Sequence, residues 1–118
     1  MASPLDATVR PEADGARITL TGRVDRDGDE ALTAAYSAAR ATGNGPITLD
    51  FTATDYINST GIALIVRLLA EARRDHRAVI AVGLSEHYRE IFRITRLSDY
   101  LTIADDQPAT SVPEEAAP

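Results

Sequence analysis

Near the start of the chain, Leu5, Ala7 and Val9 alternate with Asp6, Thr8 and Arg10, the period-two signal of a strand with one buried face. Glu12-Ala13-Asp14-Gly15 is a turn cluster. Beyond it Ile18 and Leu20 alternate with Arg17, Thr19 and Thr21, so the two runs read as a β-hairpin closed by a short Gly-containing loop. After Gly22-Arg23-Val24-Asp25 the period lengthens. Leu32, Ala35, Tyr36 and Ala39 share one helical face, with Asp27 or Asp29 available as N-cap, and Gly43-Asn44-Gly45-Pro46 ends the helix.

Ile47-Thr48-Leu49-Asp50-Phe51 is a third strand, and Thr52 to Ile57 is a loop leading into Asn58-Ser59-Thr60-Gly61. From Gly61 to about His76 the pattern is helical. Ile62, Ile65, Leu68, Leu69 and Ala72 form a buried stripe opposite Arg67, Glu71 and Arg74, and Glu71 stands four residues from Arg67 and from Asp75. Ala78-Val79-Ile80-Ala81-Val82 is an apolar run of the kind found in a central strand. Ser85 can cap a short helix from Glu86 to about Ile94, with Ile91 and Ile94 facing inward, and Leu101-Thr102-Ile103 is a last short strand. The order β-β-α-β-α-β-α, with that final strand, combines an antiparallel hairpin with parallel crossovers. The expected fold class is α/β, a two-layer sandwich with a mixed four- to five-stranded sheet and its helices on one face.

Composition sharpens this picture mainly by exclusion. Eighteen Asp and Glu oppose twelve basic residues, all of them Arg, for a net charge of -6. That balance disfavours a phosphate-tracking nucleic-acid binder and a polybasic membrane anchor. Asp105 to Pro118 is rich in Pro, Ala and acid and reads as a disordered tail behind a domain spanning 1–104. Its Asp105, Asp106, Glu114 and Glu115 leave the domain itself at about -2. With no Cys, disulfides, thiol nucleophiles and Cys-ligated metals are excluded. The first residues lack the pattern of a signal peptide and no apolar run approaches the length of a membrane span, so the expected location is cytoplasmic.

Catalytic motifs are missing. There is no G-x-S-x-G elbow, no phosphate loop and no dinucleotide fingerprint, and without Lys there is no Schiff-base or phosphate-loop lysine. Of the two histidines, His76 is placed to meet the negative end of its helix and His87 lies in the first turn of the next. No metal and no cofactor are expected. The feature that stands out is Ser59-Thr60 directly before Gly61 at a helix start. One reading is structural, with Asn58 or Ser59 as cap and Gly61 permitting close packing. The other is a hydroxyl target for phosphorylation, because free N–H donors and the positive end of the helix dipole tolerate a phosphate there.

Thr48-Leu49-Asp50-Phe51, the linker to Asp55-Tyr56-Ile57, and Asn58-Ser59-Thr60-Gly61-Ile62-Ala63-Leu64 resemble the signature of STAS domains, and within them the bacterial anti-sigma factor antagonists. Gly22-Arg23-Val24-Asp25 is similar to that family's Gly-x-[Leu/Val]-Asp, and Gly83-Leu84-Ser85 through Leu101 resembles its last strand, helix and tail. The resemblance implies partner switching. The unmodified antagonist would bind an anti-sigma factor that is also a serine kinase, be phosphorylated by it, dissociate, and be restored by a phosphatase. It places the phosphoacceptor at Ser59, with Thr60 second, and the docking surface at Asp25, Asp55, Asn58, Ser59, Thr60 and Gly61, with the loop Thr52 to Ile57 beside them. It implies no catalysis, no nucleic acid, no membrane, and a monomer or weak homodimer. Asn58 stands where the family usually has Asp, keeping the capping shape without the charge. The alternatives are a scaffold subunit of a larger signalling assembly and the STAS-type subunit of a lipid transporter.

Overall fold

A tight turn at Ala13-Asp14, with Ala13 in the left-handed region at φ 49°, folds Asp6–Glu12 (β1) antiparallel onto Gly15–Val24 (β2). The structure is a computed structural model and describes residues 4–104. β2 is the spine of the sheet. Its first half pairs in parallel with Ile47–Asp50 (β3) and its last three residues with Thr54–Ile57 (β4). β3 pairs in parallel with Val79–Val82 (β5), and β5 with Thr102–Ile103 (β6). The order is β1-β2-β3-β5-β6, with β4 beside the end of β2.

The helices are Asp29–Arg40 (α1), Ser59–Arg74 (α2) and Glu86–Ile94 (α3). The crossovers from β2 to β3, β3 to β5 and β5 to β6 all step the same way across the sheet. Right-handed connections therefore put all three helices on one face, as expected. At the interface between helices and sheet Ile18, Leu20, Val24, Ile47 and Leu49 from the strands and Ile65 and Phe92 from the helices are almost wholly buried. The opposite sheet face is polar, carrying Thr8, Arg10, Arg17, Thr19, Thr21, Thr48 and Asp50, and Arg17 there bridges Glu12 at 2.8 Å and Asp50 at 2.9 Å.

Several local expectations are corrected. The sheet has six strands, because Thr54–Ile57 is a strand rather than part of a loop. Its Asp55 and Tyr56 are both exposed, and a register shift between Gly22 and Arg23 breaks the alternation that would have marked it. Neither Asp27 nor Asp29 caps α1. Asp25 instead caps a 3₁₀ turn, Arg26–Gly28, by accepting from the Asp27 N–H at 3.1 Å, and α1 continues from that turn. In α2, Leu64 is buried while Ile62 is half-buried. In α3, Ile94 is 70% exposed, because the inward stripe runs Tyr88, Ile91, Phe92 and Ile94 falls past it. Phe92 packs edge-to-face on Phe51 with ring centroids 5.9 Å apart.

The end of α2 is also more specific than the pattern suggested. The helix stops at Arg74, and His76 takes the left-handed conformation at φ 58°. The Arg77 N–H donates to Ala72 O at 2.8 Å and the His76 N–H to Arg73 O at 3.1 Å, a Schellman closure with His where Gly is usual. Glu71 pairs with Arg74 at 2.9 Å and reaches Arg40 at 4.0 Å, whereas Arg67 pairs with Asp29 of α1. The expected tail, 105–118, lies outside the described residues.

Candidate functional site

The start of α2 is built by three local devices. Asn58, extended at φ -98°, accepts the Gly61 N–H on its side-chain Oδ1 at 2.8 Å, so of the two proposed caps it is Asn58 that serves. The Asn58 N–H donates to Val24 O at 3.2 Å, fixing the entry of the chain against the end of β2. Gly61 then lets the helix lie directly on that strand. A Cβ built there would come 2.0 Å from Val24 O and 2.7 Å from Val24 C. Gly61 is thus a packing requirement, and it sets the height of Ser59 and Thr60 above the sheet.

Ser59 and Thr60 are both exposed, on the first two residues of the helix. Their backbone N–H groups belong to the orphan donors of a helix start, and the first turn of α2 carries no acidic side chain. Next to them the Asp25 loop rises from β2. Asp25, Arg26, Asp27, Asn58 and Thr60 line one shallow hollow of about 230 Å³. Asp25 is itself steadied by the Asp27 N–H and by Arg23, whose Nε lies 3.5 Å from its Oδ2. The Arg23 guanidinium also sits over the ring of Tyr56, 5.1 Å from its centroid. Tyr56 is 45% exposed and forms an aromatic shoulder on this rim.

Of the residues singled out in the sequence, the structure brings Asp25, Asn58, Thr60 and Gly61 together, with Ser59 exposed beside them. Asp55 is elsewhere. It lines a different hollow, of about 200 Å³, with Thr52, Ser85 and Tyr88 among its neighbours, on the α3 side of β4. There the Tyr88 hydroxyl accepts the Ile57 N–H at 3.0 Å and ties α3 to β4. Arg23, Arg26 and Tyr88 were missed, whereas Tyr56 lies in the Thr52 to Ile57 segment expected on the docking surface. Asp25-Arg26-Asp27 gave a local hint, whereas the Arg23–Tyr56 stack depends on a strand pairing invisible in the pattern. Among the described residues no cluster of three or more His, Asp or Glu could hold a metal ion, and no helix is long and apolar enough to cross a membrane.

A family model described as "Mlab, STAS domain" matches residues 7–103. The chain is 27% identical over 92 residues to the "Putative anti-sigma factor antagonist BtrV" of Bordetella bronchiseptica, covering 78% of this chain and 79% of that protein. Among solved structures, an anti-sigma factor antagonist from Mycobacterium paratuberculosis superposes with a TM-score of 0.72 at 16% identity, over 93% of this chain and 92% of that one. The Bacillus cell fate determinant SpoIIAA in its phosphorylated form gives 0.65 at 19% identity, over 86% and 93% of the two chains. SpoIIAA in its unphosphorylated form gives 0.61 at 20% identity, over 75% and 82%. These structural likenesses establish the same α/β fold, and with the family match running from β1 to β6 the chain belongs to the STAS domain family.

Proposed function

We propose that this chain is a regulatory binding module, an anti-sigma factor antagonist that docks on a kinase-type anti-sigma factor and is released when Ser59, or alternatively Thr60, is phosphorylated. The observation that carries the reading is a pair of consecutive exposed hydroxyls at a capped helix start, beside a hollow walled by Asp25, Arg26 and Asp27. The relationship to BtrV supports it. In the modifying step the γ-phosphoryl group of ATP passes to the hydroxyl oxygen, ADP leaves and the hydroxyl proton is released. The helix start tolerates the product, because unpaired N–H groups and the dipole favour an anion there. The fold therefore survives and the effect falls on the partner.

A phosphate adds about -1.5 to -2 charge next to Asp25 and Asp27. Like-charge and desolvation penalties of roughly 2–4 kcal/mol in a docked interface weaken binding about 30- to 1,000-fold. Asn58 keeps the cap without adding a further charge. The docking surface comprises Asp25, Asn58, Ser59, Thr60 and Gly61, with Arg26 and Tyr56 on its rim, while Asp55 contributes only to a partner that also reaches the α3 side. The test is incubation of the protein with the kinase-type anti-sigma factor and ATP, followed by intact mass and site mapping. One phosphate lost in Ser59→Ala or in Thr60→Ala supports the reading and names the acceptor. No phosphate on either residue, with no binding to an anti-sigma factor, overturns it. Co-purification with a membrane ATPase instead would favour the transporter-subunit alternative.

A further inference from the structure

β1 is the outer strand of the sheet, and its free edge is matched to itself. The direction of its backbone groups follows from β2. Ala16 N–H donates to Pro46 O and Gly22 N–H to Ala53 O, each at 3.1 Å, so the even-numbered residues of β2 turn their polar groups away from β1. The odd-numbered residues Arg17, Thr19 and Thr21 bond to β1, where their partners are Arg10, Thr8 and Asp6. The N–H and C=O groups of Ala7 and Val9, lying between these, consequently face outward. Pro11 faces outward too, but has no N–H to offer.

We propose that a second copy of this chain occupies that edge, the two β1 strands pairing antiparallel about a dyad at Thr8. In this register Ala7 lies opposite the partner's Val9 and Val9 opposite the partner's Ala7, so the outward groups meet as hydrogen-bonded pairs and four inter-chain bonds form. Asp6 falls opposite the partner's Arg10, and Arg10 opposite the partner's Asp6, giving two cross-strand charge pairs on the polar face. The neighbouring symmetric registers are worse. Centring on Val9 sets Pro11 against Ala7 and Asp6 against the partner's Glu12, and centring on Ala7 leaves Arg10 opposite Pro4.

The dyad is perpendicular to the sheet, so the helices of both copies stay on one face. On that face Ala7 and Val9 are only half-buried. The flank of α1 turned away from α2 carries Ala31, Ala34 and Ala38, side chains small enough for two α1 helices to approach. The association closes at two copies: β6, the opposite edge, is only two residues long and Pro11 limits extension along β1. A five-residue pairing is smaller than a standard stable interface, which places the dissociation constant at about 10–100 μM.

Sedimentation equilibrium of the full chain, from low micromolar to near-millimolar protein, tests this. The wild type should pass from 12.7 kDa toward twice that mass. Asp6→Arg or Arg10→Asp alone turns two attractions into two repulsions and should weaken dimerisation roughly 10- to 30-fold. Combining the two substitutions restores both pairs with reversed sign and should recover the dimer. Ala7→Pro removes an outward N–H that β2 does not use, and should abolish dimerisation while leaving the circular dichroism spectrum folded. A wild type that stays monomeric throughout, or a double variant no better than the singles, overturns the proposal.

Discussion

Gly61→Ala sets two effects of similar size against each other. Alanine is favoured over glycine in a helix by about 1 kcal/mol, and Gly61 is helical without a left-handed backbone. On propensity alone the variant should be more stable. The structure argues otherwise, since the new Cβ would lie 2.0 Å from Val24 O, more than 1 Å inside van der Waals contact. Val24 O cannot yield freely, because it accepts the Asn58 N–H and belongs to the strand paired with Ile57. The start of α2 must lift instead, at an overpacking cost of about 1–3 kcal/mol, plus loosening of the Val24–Asn58 bond. The net expectation is destabilisation by roughly 1–2 kcal/mol, a drop in Tm of about 4–16 °C for a domain of this size. Urea titration followed by circular dichroism measures it. The same lift moves Ser59 and Thr60 away from Asp25, so partner affinity should fall as well. A Gly61→Ala protein as stable as wild type, or more so, would refute the packing account of this glycine.

Other consequences are equally accessible. Asn58→Ala removes the α2 cap and should cost about 1 kcal/mol, whereas Asn58→Asp keeps the cap and should gain about 0.3–1 kcal/mol from the helix dipole; equal urea midpoints for the two would contradict the role given to Oδ1. His76→Gly relieves a left-handed backbone that costs other residues roughly 1–2 kcal/mol and, after glycine's greater unfolded freedom, should raise stability by about 1 kcal/mol. A lower Tm would count against it. Asp50 is half-buried; burial alone would raise its carboxyl pKa, but hydrogen bonds from Thr52 and the Arg17 guanidinium outweigh burial and hold it below the ordinary value. Its contribution to stability is therefore complete above the unfolded-state value of about 3.9 and disappears as the pH falls through the depressed folded value. Asp50→Asn should flatten the acid limb of stability against pH, and an unchanged limb would show that the Arg17 pair contributes nothing.

What could be read from the chain was what local chemistry dictates. The hairpin, the helix faces and the position of Ser59-Thr60 follow from period and capping, which need only neighbours a few residues away. β4 was not legible, because its exposed Asp55 and Tyr56 leave no alternation and it exists only by pairing with the far end of β2. The same long-range step separates Asp55 from Asp25, although the resemblance placed both on one docking surface. Ile94 was misplaced because spacing by three and spacing by four are hard to tell apart over nine residues, and Phe92 took the inner position. The burial of Arg77, with its Nε bonded to Gly45 O at 2.5 Å, shows the same limit, since only the folded chain brings that carbonyl to it.

A switch at the start of α2 is read out as a change in partner affinity. Calorimetric titration of the anti-sigma factor with unmodified protein and with protein carrying one phosphate at the mapped Ser59 or Thr60 compares the two states of one surface. The unmodified form should bind tightly and phosphorylation should weaken binding about 30- to 1,000-fold, with Ser59→Ala binding like wild type and Ser59→Asp weakened. Equal affinity of the phosphorylated and unmodified proteins would contradict it.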